Sequence, residues 1–315
     1  MKLLRYKVIS YLGCAPNPLA NNHKIDLLRK FIFGVIKVGD LGEVKLQRKI
    51  ENCDVALIQG FIHENSARVP HLNFRKDILD HQTLNKGKHT LIADSNLFNY
   101  KVGTSHQLYY HRYSFDGVFP TTGNYFTDNH DPSRWKSIQK TLGVDLKDWR
   151  KNGTHILICT QRNGGWSMKG LDVYDWLIEV TNNIRQYSHR PIIIRTHPGD
   201  KKSIEYIKKF AKQDKWKCKF SRAKHLEEDL KNAWATVTYN SSPSVASAIE
   251  GIPTFVTDPT PQTSQAFEVA NTTIDNLENP TLTDRQEWIE KLCMCHWNIN
   301  EIEDGSAWRH IRQFI

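Results

Sequence analysis

The feature that most constrains the fold is the alternation of short apolar runs with longer amphipathic segments along the chain. A short apolar run suits a strand that is buried on both faces, and an amphipathic segment suits a helix that covers it. The pattern therefore predicts an α/β protein with parallel sheets. The predicted strands are 7–13, 31–38, 55–61, 90–93, 155–160, 191–195, 235–238 and 254–256.

The length of 315 residues fits two domains of ordinary size. A segment with two tryptophans, Trp135 and Trp149, and the turn Lys151-Asn152-Gly153 separates the two series of strands. We therefore place a first domain at 1–150 and a second at 151–282. The last segment, 283–315, is expected to be helical and to pack back on the first domain.

The chain is basic, with 43 Lys and Arg against 34 Asp and Glu and a formal net charge of +9. The excess is concentrated in 1–50 and 201–224. A basic surface indicates a polyanionic partner, which leaves nucleic acid, an anionic surface and a phosphorylated substrate open. For the lysines of 201–224, a solvated helix face is the favoured explanation.

The six cysteines show neither zinc-ribbon spacing nor a Cys-x-x-Cys motif. Cys293-Met294-Cys295-His296 has no second half-site elsewhere in the chain, so no metal site is predicted. Scattered cysteines in a chain of this length are typical of reduced thiols and predict a cytoplasmic protein. No apolar run is long enough to predict a membrane span.

The segment 239–256 reads as a strand end, a hydroxyl-rich turn, a helix of small residues, Gly-x-Pro and a further strand. A helix start offers free backbone N–H groups and the positive end of a dipole, both of which suit a phosphate. The side chains that would add to this site are Asn240, Ser241, Ser242 and Ser244. A well-capped αβ unit without a ligand is the alternative.

Two other predicted strands of the second half end in cationic loops. Arg162 and Lys169 flank Gly164-Gly165, where the backbone can approach a ligand closely. Arg195 and His197 lie two residues apart and therefore point to the same side. Because strand ends of a doubly wound sheet border one crevice, these loops predict a single site for a nucleotide diphosphate.

In the first half, Asp94 directly follows the strand 90–93 and is a candidate general base. His63, Glu64 and His106 compete with it, as does His111. The aromatic and cationic stretch 109–119 includes Tyr110 and Arg112, which suit an acceptor that stacks, such as a nucleobase. A core strand is the alternative explanation of that stretch.

Residues 150–260 resemble the GT-B glycosyltransferases, especially capsule-polysaccharide and phage-encoded enzymes. The Asn240-Ser241-Ser242 turn, Gly251-Ile252-Pro253 and the loops at 161–168 and 195–198 carry the resemblance. It implies two Rossmann-like domains that face a central cleft. The family pattern has a Glu that holds the donor ribose five residues before the Gly; this chain has Ala246 there and Glu250 next to Gly251.

The resemblance implies transfer of a sugar from a nucleotide-sugar donor without metal or cofactor. The expected nucleotide of the donor is UDP. Asp94, or else His106, would act as the base of an inverting displacement, whereas a retaining reaction needs no such base. The expected acceptor is a 5-hydroxymethylated pyrimidine, such as hydroxymethylcytosine in bacteriophage double-stranded DNA inside the host cytoplasm. A capsule or lipopolysaccharide sugar, a nucleotide-sugar epimerase and a non-catalytic DNA-binding module are the alternatives. The sugar and the oligomeric state stay open.

Overall fold

The structure is a computed structural model that describes residues 5–20, 22–62, 69–101, 110–128, 130–163, 166–200, 202–212 and 216–315. The chain forms two compact units. Unit 1 comprises Met1–Asn96, Ser105–Arg134 and Glu290–Ile315, and unit 2 comprises Leu97–Thr104 and Trp135–Ile289. The domain boundary expected near residue 150 stays a prediction, because these units are defined by internal packing alone.

Strands and helices alternate along most of the chain. The strands are β1 (Lys7–Tyr11), β2 (Leu41–Lys45), β3 (Val55–Gln59), β4 (His89–Asp94), β5 (Tyr110–Phe115), β6 (His155–Cys159), β7 (Ile192–Arg195), β8 (Cys218–Phe220), β9 (Ala233–Thr238), β10 (Thr254–Val256) and β11 (His296–Asn298). The helices are α1 (His23–Lys37), α2 (Pro70–Leu84), α3 (Pro132–Leu142), α4 (Val173–Tyr187), α5 (Ser203–Ala211), α6 (Leu226–Leu230), α7 (Pro243–Ile249), α8 (Gln286–Cys293), α9 (Ile299–Glu303) and α10 (Ser306–Ile311). No described helix is both long and apolar enough to cross a membrane.

Unit 1 is built on a mixed sheet with the strand order β11-β5-β4-β3-β1-β2. The strands β4, β3, β1 and β2 pair in parallel, whereas β5 and β11 are antiparallel to their neighbours. The parallel strands β1, β3 and β4 are almost wholly buried, as their apolar sequences predict.

The strand predicted at 31–38 is wrong, because residues 31–37 belong to the helix α1 and Val38 caps its end. Ile25, Leu28, Phe31 and Val35 are buried at intervals of three and four residues, which is the period of a helix rather than of a strand. The side chain of Asn22 caps the helix by accepting from the backbone N–H groups of its second and third residues, at 3.1 and 3.2 Å.

The C-terminal segment is not helical throughout, since β11 interrupts the predicted helix and pairs antiparallel with β5. Trp297 and His296 are buried in this strand, and His296 Nδ1 lies 2.8 Å from the carbonyl oxygen of Leu292. Asn298 ends the strand, and its Oδ1 caps α9 by accepting from the backbone N–H groups of Asn300 and Glu301, both at 3.0 Å. Residues 290–315 are therefore part of unit 1.

Unit 2 contains a fully parallel sheet with the order β10-β9-β6-β7-β8. All four strands predicted for the second half are present in it. The amphipathic helix α4 contributes Trp176, Leu177 and Ile184 to the core of this unit. Gly251 ends α7 with a φ of +72°, where a Cβ atom would lie 2.0 Å from the carbonyl oxygen of Asp148, so the position requires glycine.

Candidate functional site

The carboxyl ends of β6, β7, β9 and β10 lie at one edge of the parallel sheet of unit 2. Each of these strands is followed by polar residues: 160–162, 196–197, 240–242 and 257–258. Parallel pairing brings these segments to the same edge, which is where α/β sheets bind ligands.

Asn240 and Gln161 join the ends of β9 and β6 through a buried hydrogen-bond network. Gln161 Nε2 donates to Asn240 Oδ1 at 2.7 Å and to Ser167 Oγ at 2.8 Å. Asn240 returns a bond from its backbone N–H to Gln161 Oε1 at 3.3 Å, and its Nδ2 donates to the Ser167 carbonyl at 3.1 Å. The loop after β6 is thereby tied to the strand end of β9.

Asp258 extends this network to the end of β10. Its carboxylate accepts from Asn240 Nδ2 at 2.7 Å, from Lys169 Nζ at 3.1 Å and from the backbone N–H of Thr260 at 2.8 Å. Asn240 is 2 % and Asp258 3 % exposed, so their polar groups are satisfied by protein partners. A buried network with its polar groups paired holds the three strand ends in one arrangement.

Gln161 and Asp258 were not predicted as site residues, although a sequence signal for Asp258 exists. It follows the buried strand 254–256 with one residue between, much as Asp94 follows the strand predicted at 90–93. Asn240 and Lys169, both predicted to bind the donor, lie within the network that Asp258 completes.

The hydroxyl-rich turn leads into α7, and its three serines differ in exposure. Ser244 is buried and its Oγ donates to the Ser241 carbonyl at 2.7 Å. Ser242 is the exposed residue that precedes the helix, and Ser241 is half-buried. Within the described part of the chain, the backbone N–H groups of Ser241 and Ser242 have no acceptor. They are thus available to an anion.

His197 lies beyond β7 with its ring held in one orientation. Thr160 Oγ1 accepts from the His197 backbone N–H at 3.2 Å, and His197 Nδ1 accepts from the Gly199 N–H at 3.0 Å. Burial lowers the pKa of His197, Asp200 opposes that shift, and the positive charge of Arg162 adds to it. A neutral imidazole whose Nδ1 accepts carries its proton on Nε2, so His197 presents an N–H donor.

The two predicted phosphate-binding arginines have different surroundings. Arg162 is exposed and forms no ion pair with the described residues. Arg195 donates to Asp229 Oδ2 at 2.6 Å and to the carbonyl oxygens of Ala223 and His225 at 3.2 and 3.4 Å. Arg195 therefore fastens the segment after β8, and Arg162 is the freer cation.

Glu250 lies at the C-terminal end of α7, away from the Ser242 end of that helix. It accepts from Tyr100 OH at 2.9 Å, pairs with Lys147, and has Lys101 Nζ at 3.5 Å. Burial alone would raise the pKa of Glu250, but the bonds from Lys147 and Tyr100 outweigh it and the pKa is lowered. This carboxylate is held in a structural cluster.

In unit 1, Asp94 ends β4, and its Oδ2 lies 2.5 Å from Nη2 of Arg112. Arg112 is 4 % and Tyr110 1 % exposed, and both belong to β5. The stretch 109–119 thus contains a core strand. The predicted residues His63, Glu64 and His106 lie outside the described residues.

Arg75 was not predicted as a site residue, yet it connects the loops after β1 and β3. Its Nε donates to the carbonyl oxygen of Cys14 and its Nη1 to that of Phe61, both at 3.1 Å. Burial lowers the pKa of Arg75, while Cys14 and Asp94 act in the opposite direction. The guanidinium of Arg75 therefore lies near the carboxyl edge of this sheet. No sequence signal indicated this role, because Arg75 lies within a helix and not at the end of a strand.

The described residues contain no group of three or more His, Cys, Asp or Glu side chains placed to hold a metal ion. Cys293 and Cys295 are buried, and burial raises the pKa of both thiols. The two cysteines beside His296 thus belong to the core of unit 1.

No protein-family model and no curated protein sequence matches this chain. Among solved structures, KpsC β-Kdo 2,4-transferase from Thermosulfurimonas dismutans is similar over 96 % of this chain and 99 % of its own, with 12 % identity and a TM-score of 0.57. KpsC β-Kdo 2,7-transferase from the same organism is similar over 98 % of this chain and 100 % of its own, with 12 % identity and a TM-score of 0.52. At this identity the similarity shows the fold. Two Rossmann-like units and these glycosyltransferase neighbours confirm the predicted GT-B fold class and the resemblance to capsule-polysaccharide-type enzymes.

Proposed function

We propose that this protein is a glycosyltransferase that moves a sugar from a nucleotide-sugar donor to a hydroxyl group of an acceptor. The observation that carries the proposal is the Gln161–Asn240–Asp258 network, which fixes three strand ends of unit 2. Around this fixed frame, exposed donors remain at the start of α7 and in the loops after β6 and β7. The glycosyltransferase fold of the structural neighbours supports the same conclusion.

The donor pyrophosphate would bind at the carboxyl edge of unit 2. The backbone N–H groups of Ser241 and Ser242 offer neutral donors, Arg162 offers a positive charge, and His197 offers Nε2–H. These groups stabilise the negative charge that develops on the departing nucleoside diphosphate. Arg195 and Lys169, which are paired with Asp229 and Asp258, shape the surrounding loops.

Asp94 is the proposed general base of an inverting transfer. The acceptor oxygen forms a bond to the anomeric carbon as the bond from that carbon to the donor phosphate oxygen breaks. The electron pair leaves with the nucleoside diphosphate, and the proton of the acceptor hydroxyl passes to the Asp94 carboxylate. Arg112 orients this carboxylate through the bond at 2.5 Å and balances its charge. His106 is the other candidate for the base, and a reaction with retention would need neither.

A saccharide is the acceptor that we favour. The two neighbours described above are Kdo transferases. Tyr110 and Arg112, which were expected to grip a nucleobase, are buried in β5. A 5-hydroxymethylated pyrimidine in DNA is the second candidate, because the net charge of +9 suits a polyanion. Binding to duplex DNA that weakens steeply with salt would favour this second acceptor.

Donor binding is the first test, by calorimetric titration with UDP, CMP, GDP and dTDP and their sugar conjugates. We expect one nucleotide to bind, with UDP as our first choice, and Arg162→Ala to weaken it about tenfold through the loss of one charge-assisted contact. Lys140→Ala removes an exposed charge elsewhere in unit 2 and is the control. Failure of every nucleotide to bind would refute the proposal.

Transfer to an acceptor is the second test, with Asp94→Asn as the variant. Asparagine keeps an oxygen that can accept from Arg112 but cannot take up the acceptor proton. We expect the transfer rate to fall by about 10²- to 10⁴-fold with donor affinity unchanged. Full activity of this variant would exclude Asp94 as the base.

A further inference from the structure

Unit 2 carries a groove of about 420 Å³ along α4, which the proposed donor site does not use. Such a volume lies within the range of small-ligand pockets. Its walls come from α4, from the ends of β9 and β10, and from the segment 272–275. Neither Arg162 nor His197 lines it, nor does Ser241, Asn240 or Asp258.

One wall of the groove is aromatic and held by its own contacts. Trp176 Nε1 donates to Thr257 Oγ1 at 2.9 Å, and its ring meets Tyr239 edge to face at a centroid distance of 6.2 Å. Tyr187, at the end of α4, also lines the groove and is 45 % exposed. The groove thus offers an apolar ring surface that is accessible to a ligand.

The polar groups of the groove exclude an anionic ligand. Glu179 and Asp275 contribute two carboxylates, Asn183 contributes an amide, and threonines contribute hydroxyls. Of the residues that the structure describes, no Lys or Arg lines the groove, although the chain as a whole has a net charge of +9. A phosphate or a sugar acid would therefore meet uncompensated negative charge here.

We propose that this groove binds a neutral saccharide at a site separate from that of the nucleotide. The hydroxyl groups of a sugar can donate to the carboxylates of Glu179 and Asp275 and accept from the amide of Asn183. The apolar C–H face of a pyranose ring packs against an aromatic side chain such as Tyr187. The combination of rings, carboxylates and an amide matches both faces of a sugar and neither a phosphate nor a purely apolar ligand.

The experiment measures oligosaccharide binding to the full chain without any nucleotide, so its outcome does not depend on transfer. The probes are maltohexaose, cellohexaose and hexa-N-acetylchitohexaose, with hexagalacturonate as the anionic counterpart, in saturation-transfer NMR and calorimetry. We expect at least one neutral oligomer to bind and hexagalacturonate not to bind.

Three variants locate the site. Tyr187→Ala removes the exposed ring and Glu179→Gln one carboxylate, and each is expected to weaken binding about 5- to 10-fold, the loss of one stacking contact or hydrogen bond. Asp175→Asn removes the same charge from an exposed position of α4 outside the groove and should leave affinity unchanged within about twofold. All three positions are exposed, so the melting temperature checks that each variant is folded.

Several results would overturn the inference. These are the absence of binding by all three neutral oligomers, equal binding of hexagalacturonate, or unchanged affinity in Tyr187→Ala and Glu179→Gln. Competition between the oligosaccharide and the nucleotide that binds wild type would refute a separate site while leaving the donor site intact. If no nucleotide binds but the oligosaccharide does, the donor proposal fails and this one stands.

Discussion

The two units place their buried polar groups differently. In unit 2 these groups gather at the carboxyl edge of the sheet, where Gln161, Asn240 and Asp258 bond to one another across three strand ends. In unit 1, the buried Arg112, Ser114 and His296 lie at the antiparallel end of the sheet, in β5 and β11. Among the described residues, Tyr113 OH and Arg112 Nε in β5 have no hydrogen-bond partner, whereas the unpaired groups of the unit 2 strands are threonine hydroxyls such as those of Thr236 and Thr238.

The bonded network of unit 2 prepares a surface for a ligand, whereas the buried polar groups of β5 and β11 reduce the stability of unit 1. Mutually bonded groups keep loop positions fixed without a ligand, so unit 2 can present phosphate donors in a defined geometry. Buried groups with few partners lower the stability of the native state, because each gives up hydration without full replacement. The buried imidazole of His296 should make the stability of unit 1 the more sensitive to pH. The stability of unit 2 should be the more sensitive to the loss of one member of the Gln161–Asn240–Asp258 network.

His296→Asn tests the first half of this comparison and has the largest expected effect. Burial lowers the pKa of His296 to about 3, with Arg112 and Arg134 acting in the same direction. The unfolded chain binds this proton near pH 6.5 and the native state does not, so stability falls as the pH drops below about 6.5. The contribution is about 1.4 kcal/mol per pH unit, and at most about 5 kcal/mol by pH 3.

Asparagine removes the titration and can still donate to the Leu292 carbonyl, which His296 Nδ1 contacts at 2.8 Å. Urea unfolding of wild type and variant at pH 7, 6, 5 and 4 should show a shallower pH dependence in the variant. His189→Asn, at an exposed position of unit 2, is the matched control. An unchanged slope in His296→Asn would show that unit 1 does not carry this acid sensitivity.

Asn240→Ala tests the second half of the comparison. The substitution leaves Gln161 Nε2, Asp258 Oδ2 and the Ser167 carbonyl short of one partner each. Buried groups without partners cost about 1–3 kcal/mol each, so we expect unit 2 to lose about 3 kcal/mol and donor affinity to fall more than about tenfold.

Denaturant unfolding and nucleotide titration measure these two effects together. Asn279→Ala, at an exposed position of the same unit, is the control and should change neither quantity. Wild-type affinity in Asn240→Ala would mean that the network does not organise the donor site.

The contrast between the units also explains how much the sequence could predict. Apolar runs located β1, β3, β4 and the strands of unit 2, because strands buried on both faces need continuous apolar sequence. The run at 31–38 was wrongly predicted as a strand, because it was considered apart from the preceding residues. Together with 25–28 it shows the spacing of a helix that begins after the Asn22 cap. Short β11 depends on pairing with β5, which no local pattern in 296–298 reveals.

The residue types at the strand ends predicted the sheet edge at which the candidate donor site lies. They did not predict which of these side chains are free to bind a ligand and which are paired within the protein. Arg162 and Arg195 both follow strands as cations, yet only the fold brings Asp229 to Arg195. Glu250 likewise gains its partners Tyr100 and Lys147 from distant segments of the chain. Partners of this kind are set by tertiary packing, which one sequence does not display.

Arg195→Ala and Arg162→Ala sharpen this distinction within unit 2. Arg195 is largely buried against Asp229, so its removal should cost about 2 kcal/mol of stability, with a smaller effect on donor affinity. Arg162 is exposed and should show the reverse, with unchanged stability and about tenfold weaker donor binding. Thermal unfolding and nucleotide titration of both variants decide the matter. If both variants lost donor affinity to the same extent, Arg195 would be a phosphate ligand like Arg162.

Glu250→Gln has the smallest expected effect and tests whether this carboxylate serves the donor ribose. The bonds from Lys147 and Tyr100 lower the pKa of Glu250 in the native state, so its stabilising contribution is present above pH 4.5 and is lost as the pH falls through the lowered value. Glutamine still accepts from Tyr100 but loses the ion pair with Lys147, which is half-exposed, so we expect a loss of about 1 kcal/mol at pH 7. Donor affinity should stay within about twofold of wild type, since the side chain lies at the far end of α7 from Ser242. Glu268→Gln, which removes a carboxylate elsewhere in unit 2, is the control, and a tenfold loss of nucleotide affinity in Glu250→Gln alone would assign the ribose to Glu250 after all.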